Sequence, residues 1–284
     1  MPEFIGGNRD KVELFLDESK LQEVLRRKKP TGYFWCDMTD MFLDDYPMGW
    51  VMQCFAVMAL TPQHIHMVLT KRPERMHEML TASGVAKWIT DAALKMVDAP
   101  VCLADRVAPI WPLPNLYLGV SVENQKYADE RIPPLLQTPA AVRFVSYEPA
   151  LGPVDFTNIN VREHVFAEIG SHALVWRNSP NYPTHIPLNT LTGWNPGHDI
   201  IPPLDWIIFG GESGRNARPC NIQWARDVRD QCKAAGVPYF FKQMGTRPYE
   251  DMGFDDIHYL RFRDRKGGDP SEWPEQDRVR EFPR

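Results

Sequence analysis

The chain alternates between short apolar segments and longer segments with helical spacing. The short segments are rich in β-branched and aromatic residues, and polar residues follow each of them. They are YFWC (33–36), IHMVLT (65–70), LYLGVSV (116–122), VRFVSY (142–147), DWIIFG (205–210) and VPYFFK (237–242). Each segment is almost continuously apolar, which predicts parallel strands that are covered on both faces.

Four further segments carry apolar residues at helical spacing. Helices are predicted over 47–60, 85–97 and 222–235, and a fourth begins at Pro73 and ends before Gly84. In the segment 222–235 the apolar positions recur every fourth residue, and Gly236 follows as a C-terminal cap. This alternation predicts right-handed crossovers and a parallel sheet, either a barrel or an open doubly wound sheet.

Two segments interrupt the alternation and set the expected domain organisation. Residues 157–203 are long and rich in Asn, Pro and His, which predicts a lid-like insertion after the fourth strand. From about residue 246 the chain is polar, with several prolines. We therefore expect a barrel over residues 1–245 that contains the insertion, followed by a C-terminal tail, residues 246–284, that packs on the barrel.

Composition narrows the class of protein. The formal net charge of −5 gives no general attraction to nucleic acid, and the basic clusters 26–29 and 261–266 are interpreted as solvated surface. No apolar run approaches the roughly 18 residues of a membrane span. Five cysteines lie far apart without CxxC spacing, which favours free thiols in a reducing compartment. We expect a cytoplasmic protein without membrane partners.

Every predicted strand ends in charged or hydrogen-bonding residues. Because ligands bind at the carboxyl ends of barrel strands, these side chains are expected to line one mouth. The following positions are involved: Asp37, Thr39, Asp40, Thr70, Lys71, Arg72, Ser121, Glu123, Asn124, Ser146, Glu148, Gly210, Gly211, Glu212, Ser213, Lys242 and Gln243. Polar loops and helix caps would account for any one of them. Taken together, their mixed charges favour a zwitterionic or phosphate-bearing ligand.

The familiar sequence motifs of nucleotide-binding, metal-binding and nucleophile sites do not identify a function for this chain. The sequence has no Walker loop, no GxGxxG, no HExxH and no GxSxG. His64 and His66 share one face of a strand but lie at its amino end, far from the expected mouth, so no metal site is predicted. The turn GGESGRNARP (210–219) is glycine-rich, and its free N–H groups could hold a carboxylate or phosphate.

Six motifs in order resemble a phage- and prophage-encoded family of unknown function, gp-thirty-seven/gp-sixty-eight. They are FWCDMTDMFLDD, HMVLTKRPERM, NLYLGVSVENQKYADERIPPLL, VRFVSYEPALGPVDF, LDWIIFGGESGRNARP and VPYFFKQMG, and the tail segment DRKGGDPSEWPE is similar as well. The resemblance spans roughly residues 11–284. It implies a radical-S-adenosylmethionine-like partial (β/α) barrel of about six parallel strands.

The resemblance also implies a cofactor chemistry that this chain does not carry alone. Full-length family members hold a [4Fe–4S] cluster on an N-terminal three-cysteine segment and use S-adenosylmethionine. No such segment occurs here, so the first strand and the cluster loop are expected to be missing, and the enzyme is expected to be incomplete unless a partner protein supplies them. The GGE of residues 210–212 falls on a late strand, so Glu212 is interpreted only as a mouth carboxylate.

Specific roles follow for the mouth residues under this interpretation. Catalytic roles are predicted for Glu148 and Lys242, and ligand-binding roles for Asp37, Asp40, Lys71, Arg72, Glu123, Asn124, Gly210, Gly211, Glu212 and Ser213. The expected substrate is a small molecule, a nucleotide or a nucleic acid. Two other functions remain open: a metal-dependent hydrolase that uses Asp37, Asp40 and Glu148, and a noncatalytic binding or interaction module.

Overall fold

A computed structural model describes residues 14–98, 109–162, 185–193, 201–253 and 256–283. Its main feature is a curled sheet of six parallel strands that forms a half-barrel. The strands are β1 (Gly32–Trp35), β2 (Ile65–Thr70), β3 (Leu116–Ser121), β4 (Val142–Tyr147), β7 (Trp206–Gly210) and β9 (Tyr239–Gln243), and they lie side by side in chain order. The sequence prediction of a partial (β/α) barrel is therefore confirmed.

Among the described residues, one helix precedes β1, and the others lie in the connections β1–β2, β2–β3, β3–β4 and β7–β9. They are α1 (Glu18–Arg26), α2 (Met48–Leu60), α3 (Pro73–Thr81), α4 (Val85–Met96), α5 (Gln125–Gln137) and α6 (Ile222–Ala235). One face of the sheet packs against the helices, and together they form a single apolar core. The sheet side chains in this core include Val68, Leu118 and Val145, which are fully buried. In the part of the chain that the structure describes, no helix is long and apolar enough to cross a membrane.

The six predicted strands and four predicted helices are confirmed with end shifts of a few residues. The helix α5 was not predicted, because Pro133 and Pro134 lie inside it and proline usually interrupts a helix. The helix α1 was not predicted either, although Asp17 caps it by accepting a hydrogen bond from the Ser19 backbone N–H at 3.0 Å.

Two smaller sheets complete the described structure. Strands β5 (Ile159–Arg162) and β6 (His185–Leu188) form an antiparallel pair, within the segment 157–203 that was predicted to be an insertion. The rest of that segment, 163–184 and 194–200, lies outside the described residues. In the predicted tail, β10 (Pro248–Asp251) and β11 (Ile257–Tyr259) join the two-residue strand β8 (Cys220–Asn221). The domain boundaries themselves stay a prediction.

The tail returns to the half-barrel at its last strand. Residues 279–281 run antiparallel to β9, with the Phe241 N–H donating to the Val279 carbonyl and the Glu281 N–H donating to the Tyr239 carbonyl, both at 2.9 Å. Trp273 is buried in the core, 1% exposed. Residues 270–283 therefore contribute packing and backbone hydrogen bonds to the far edge of the sheet.

Candidate functional site at the mouth of the half-barrel

Strand register gathers the polar residues on one face of the sheet. Ser121 of β3 lies opposite Ser146 of β4, and successive side chains along a strand alternate between faces. Both serines therefore lie on the face opposite the helix-packed core. Glu123 and Glu148 follow two residues later, Lys71 follows Leu69 by two, and Lys242 lies on the same face of β9. These four charged residues form the ionic rim of the mouth.

The first half of the rim centres on Glu123. Its carboxylate accepts from the Lys71 ammonium at 2.5 Å and from the Arg131 guanidinium at 3.0 Å. Arg131, on α5, also donates to the Ser121 carbonyl at 2.8 Å. The Glu123 side chain is only 7% exposed, whereas that of Lys71 is 51% exposed. Arg131 thus holds the Glu123 carboxylate in place, and the Lys71 ammonium that pairs with it faces solvent.

The second half of the rim repeats this arrangement around Glu148. Its carboxylate accepts from the Lys242 ammonium at 2.8 Å and from the Gln243 side-chain amide at 3.1 Å. The Glu148 side chain is 18% exposed and that of Lys242 is 52% exposed. Gly210 gives Glu148 its space, since a Cβ at that position would lie 2.8 Å from the Glu148 carboxyl carbon.

Asp40 connects the ends of β1 and β2. Its carboxylate accepts from the Thr70 hydroxyl at 2.8 Å, from the Lys71 backbone N–H at 2.9 Å and from the Arg72 guanidinium at 3.1 Å. The Phe42 N–H donates to the same group at 3.0 Å. With four donors around it, this carboxylate fixes the turns that carry Lys71 and Arg72.

The glycine-rich turn after β7 contributes a further ion pair to the mouth. Arg218 pairs with Glu212 through its Nε at 2.7 Å and its Nη2 at 3.2 Å, and this hydrogen bonding lowers the pKa of Glu212. Glu123 is near enough to contribute to the raised pKa of Arg218, after the larger effect of Glu212. Gly211 is required by close packing, because a Cβ there would lie 2.2 Å from the Met244 carbonyl oxygen.

The structure brings most of the predicted residues together, but not all. Asp37 is exposed in the turn after β1, and among the described contacts none joins it to the rim. Asn124 serves as the N-cap of α5 by accepting from the Tyr127 N–H at 3.3 Å. Ser213 is exposed in the turn after β7. The functional roles predicted for all these positions stay predictions.

Sequence reasoning missed two cations of the site. Arg131 lies on α5, eight positions after Glu123. Because that helix was not predicted, the strand-end pattern did not point to Arg131. Arg218 lies inside the GGESGRNARP turn that was singled out, and its spacing of six from Glu212 carries no known signature. Gln243 was noted at a strand end, and its contact with Glu148 gives it a place in the site.

The histidine pair His64–His66 is part of the core. The Trp35 indole N–H donates to His66 Nδ1 at 3.1 Å, and the Thr61 hydroxyl lies 3.0 Å from His66 Nε2. Burial lowers the pKa of His66 to about 4. Among the described residues, no group of three His, Cys, Asp or Glu side chains is placed to hold a metal ion.

The described cysteines do not fit a three-thiolate cluster site. Burial raises the pKa of Cys54, Cys220 and Cys232 to about 12 each, which opposes thiolate formation. Cys54 lies on α2 and Cys232 on α6, and these helices flank opposite ends of the sheet. Cys36 follows β1, and Cys102 lies outside the described residues. No reaction step is therefore assigned to an iron–sulfur cluster held by the described residues.

Comparison with known proteins gives one match. A family model described as "Protein of unknown function (DUF5131)" matches residues 5–269, nearly the whole chain. The searches of curated proteins and of solved structures found no match. The resemblance to the phage family and to radical enzymes therefore stays a prediction. Because the match covers far more than half of its length, the chain belongs to the DUF5131 family of proteins of unknown function.

Proposed function

We propose that the mouth of the half-barrel binds a small zwitterionic or phosphate-bearing ligand. The observation that supports this most directly is the repeated pairing of a half-exposed lysine with a largely buried glutamate, Lys71 with Glu123 and Lys242 with Glu148. On binding, an anionic group of the ligand would pair with a lysine ammonium in place of the glutamate. An ammonium group of the ligand would then pair with the glutamate carboxylate.

Stability alone is a weak explanation for these pairs. A salt bridge with one solvent-exposed partner contributes about 0–1 kcal/mol, and burying a carboxylate is costly. The rim region holds the carboxylates Asp40, Glu123, Glu148 and Glu212 and the cations Lys71, Arg72, Arg131, Arg218 and Lys242. Such a nearly balanced ring suits a zwitterion or a phosphate ester better than an apolar molecule.

S-adenosylmethionine is the specific ligand that the family resemblance suggests, and its amino-acid part has the required pair of charges. In this proposal Glu148 accepts a hydrogen bond from the ligand ammonium or hydroxyl, and Lys242 donates to its anionic group. These two residues also stay the proposed catalytic pair. The protein is proposed to be a phage-type, cytoplasmic one, and any radical chemistry would need a cluster held elsewhere.

The geometry gives less support to a metal-dependent hydrolase. Asp40, a proposed ligand under that alternative, already accepts four hydrogen bonds, one of them from a guanidinium. Asp37, three residues before Asp40 in the connection after β1, is exposed, and no described hydrogen bond joins it to the partners of Asp40. A metal ion at this place would have to displace Arg72 and the Thr70 hydroxyl from Asp40.

Isothermal titration calorimetry tests the proposal with two probes, S-adenosylmethionine and adenosine 5′-monophosphate. We expect at least one to bind, and Lys242→Ala and Glu148→Gln each to weaken its affinity tenfold or more, since a hydrogen bond to a charged group is lost. Lys87→Ala provides a matched control, because Lys87 pairs with Asp91 at 2.6 Å on the surface of α4.

Two results would contradict the proposal. One is that neither probe binds the wild-type protein at millimolar concentration. The other is that Lys87→Ala weakens binding as much as Lys242→Ala does. Circular dichroism of each variant shows whether it is folded before its affinity is compared.

A further inference from the structure

The hairpin formed by β10 and β11 presents arginines and tyrosines on a single face. Tyr249 lies directly opposite Tyr259, with the ring centroids 6.0 Å apart, and the Arg247 guanidinium lies 5.7 Å from the Tyr259 ring. Because side chains alternate along extended backbone, Arg247 shares the face of Tyr249. Tyr259 is 44% exposed.

The chain continues this alternation beyond β11. Leu260 and Phe262 pack against the core, while Arg261 and Arg263 between and after them are exposed. Arg265 and Lys266 follow in an exposed turn. We refer to Arg247, Tyr249, Tyr259, Arg261, Arg263, Arg265 and Lys266 as the arginine–tyrosine patch.

Among the residues that the structure describes, the cations of this patch have no acidic partner. Within the described ranges, no ion pair involves Arg247, Arg261, Arg263, Arg265 or Lys266, whereas the cations of the mouth are paired. Asp251 is the exposed acid on the face of Tyr249, and it accepts from the Gly253 N–H at 2.9 Å. Two other nearby acids make contacts within the fold. Asp264 accepts from the Gly268 N–H at 2.6 Å, and Glu250, on the other face of the hairpin, pairs with Arg226 at 2.7 Å.

The patch adjoins the mouth through two hydrogen bonds that Thr246 donates. The Thr246 N–H donates to the Glu212 carbonyl at 2.8 Å, and the Thr246 hydroxyl donates to the Arg265 carbonyl at 3.0 Å. Thr246 therefore lies between the glycine-rich turn of the mouth and the basic turn of the patch.

We propose that the arginine–tyrosine patch binds single-stranded nucleic acid. Unpaired arginines attract phosphates, and exposed aromatic rings stack on bases that a single strand leaves accessible. A duplex keeps its bases stacked, and an acidic peptide has no bases, so both would use the charges but not the tyrosines. The net charge of −5 for the whole chain means that attraction is local to this patch.

Fluorescence anisotropy with a labelled 20-nucleotide oligo(dT) tests this proposal. With about four phosphates neutralised, affinity is expected to fall on the order of 50-fold between 50 and 200 mM salt. The triple variant Arg261→Ala/Arg263→Ala/Arg265→Ala should bind at least tenfold more weakly, with the salt slope reduced by about 2. Tyr259→Leu should lose several-fold in affinity, while Tyr259→Phe retains binding because it keeps the ring.

The chain offers a matched control for the loss of charge. Arg26→Ala/Lys28→Ala/Lys29→Ala removes three exposed positive charges from the other basic cluster and should change the affinity by less than twofold. Equal losses in both triple variants, or no binding of oligo(dT) at 50 mM salt, would overturn the proposal. So would equally tight binding of a 20-base-pair duplex or of poly-glutamate.

This inference is independent of the function proposed for the mouth. Lys242→Ala should leave oligo(dT) binding unchanged, and the arginine triple variant should leave small-ligand binding unchanged. Failure of one proposal can therefore be told apart from failure of the other.

Discussion

At the scale of single residues, His66 shows how a polar group is accommodated in the core. Its Nδ1 accepts from Trp35, and its Nε2 contacts Thr61, whose hydroxyl donates to the Val57 carbonyl at 2.6 Å. With that hydroxyl proton used, Nε2 must donate. The ring is therefore neutral, with both nitrogens satisfied, and protonation would break the bond from Trp35.

His66 makes stability depend on pH. Its pKa in the folded state is about 4, below the ordinary 6.5, so between these values the unfolded state binds more protons than the folded state. Stability is therefore full above pH 6.5 and falls as the pH drops toward 4, by about 2–3 kcal/mol from this residue.

Urea denaturation at pH 7 and pH 4.5 measures this dependence. Other groups titrate in the same range, so the informative quantity is the difference between wild type and His66→Gln, which cannot be protonated. The loss of stability on acidification should be smaller in the variant by roughly that amount. Equal losses in the two proteins would show that His66 does not carry the effect.

At the scale of elements, the spacing of β3 and β4 depends on Gly119. The Phe144 ring of β4 lies over this residue, and a Cβ at position 119 would approach it to 2.5 Å. Phe144 is fully buried. The ring has no solvent-facing side to which it could move, so a larger residue would force the two strands or the ring apart.

Gly119→Ala is expected to destabilise the fold by about 1–3 kcal/mol, the usual cost of overpacking a core. Gly49→Ala on α2 is the matched control, because nothing lies within 4 Å of a Cβ at that position. Alanine in a helix should stabilise there by about 0.5–1 kcal/mol. Chemical denaturation compares the two variants, and equal stabilities would refute this account of Gly119.

Sequence patterns were sufficient for the elements but not for the contacts between them. The strands were predictable because near-continuous apolar runs such as 116–122 and 142–147 carry their own signal. The rim was predictable in outline, since parallel strands bring their carboxyl ends to one edge. The pairing of Glu123 with Arg131 was not, because it depends on a helix that contains two prolines. The hairpin of β10 and β11 was not predicted either, because its two strands are short and polar and carry no clear apolar pattern.

At the scale of the whole molecule, a buried ion pair attaches the tail to the half-barrel. Asp277 of the tail has no exposed side-chain surface and accepts from Arg226 of α6 at 3.2 and 3.0 Å. Arg229 lies 3.6 Å away. Since α6 packs behind β7 and β9, this contact links the C-terminal residues to the sheet.

Asp277→Asn is expected to cost about 1.5–3 kcal/mol of stability, because it removes the charge of a fully buried carboxylate, while Arg226 keeps Glu250 and Arg229 keeps Asp230 as partners. Asp230→Asn is the control, since Asp230 pairs with Arg229 from a side chain that is 64% exposed, and it should cost less than about 1 kcal/mol. Guanidinium-chloride unfolding measures both. A loss below 1 kcal/mol at Asp277 would mean that the tail is held by packing alone.

The pairing of residues 279–281 with β9 makes the two edges of the large sheet differ in how their outward backbone groups are hydrogen-bonded. On the β9 side, the outward N–H and C=O groups are already satisfied by the chain's own final segment. Within the described residues, β1 has a strand neighbour only in β2. Among the described strands, β1 is therefore the border of the sheet that is open to a strand from another molecule, whether a functional complement or the first step of aggregation.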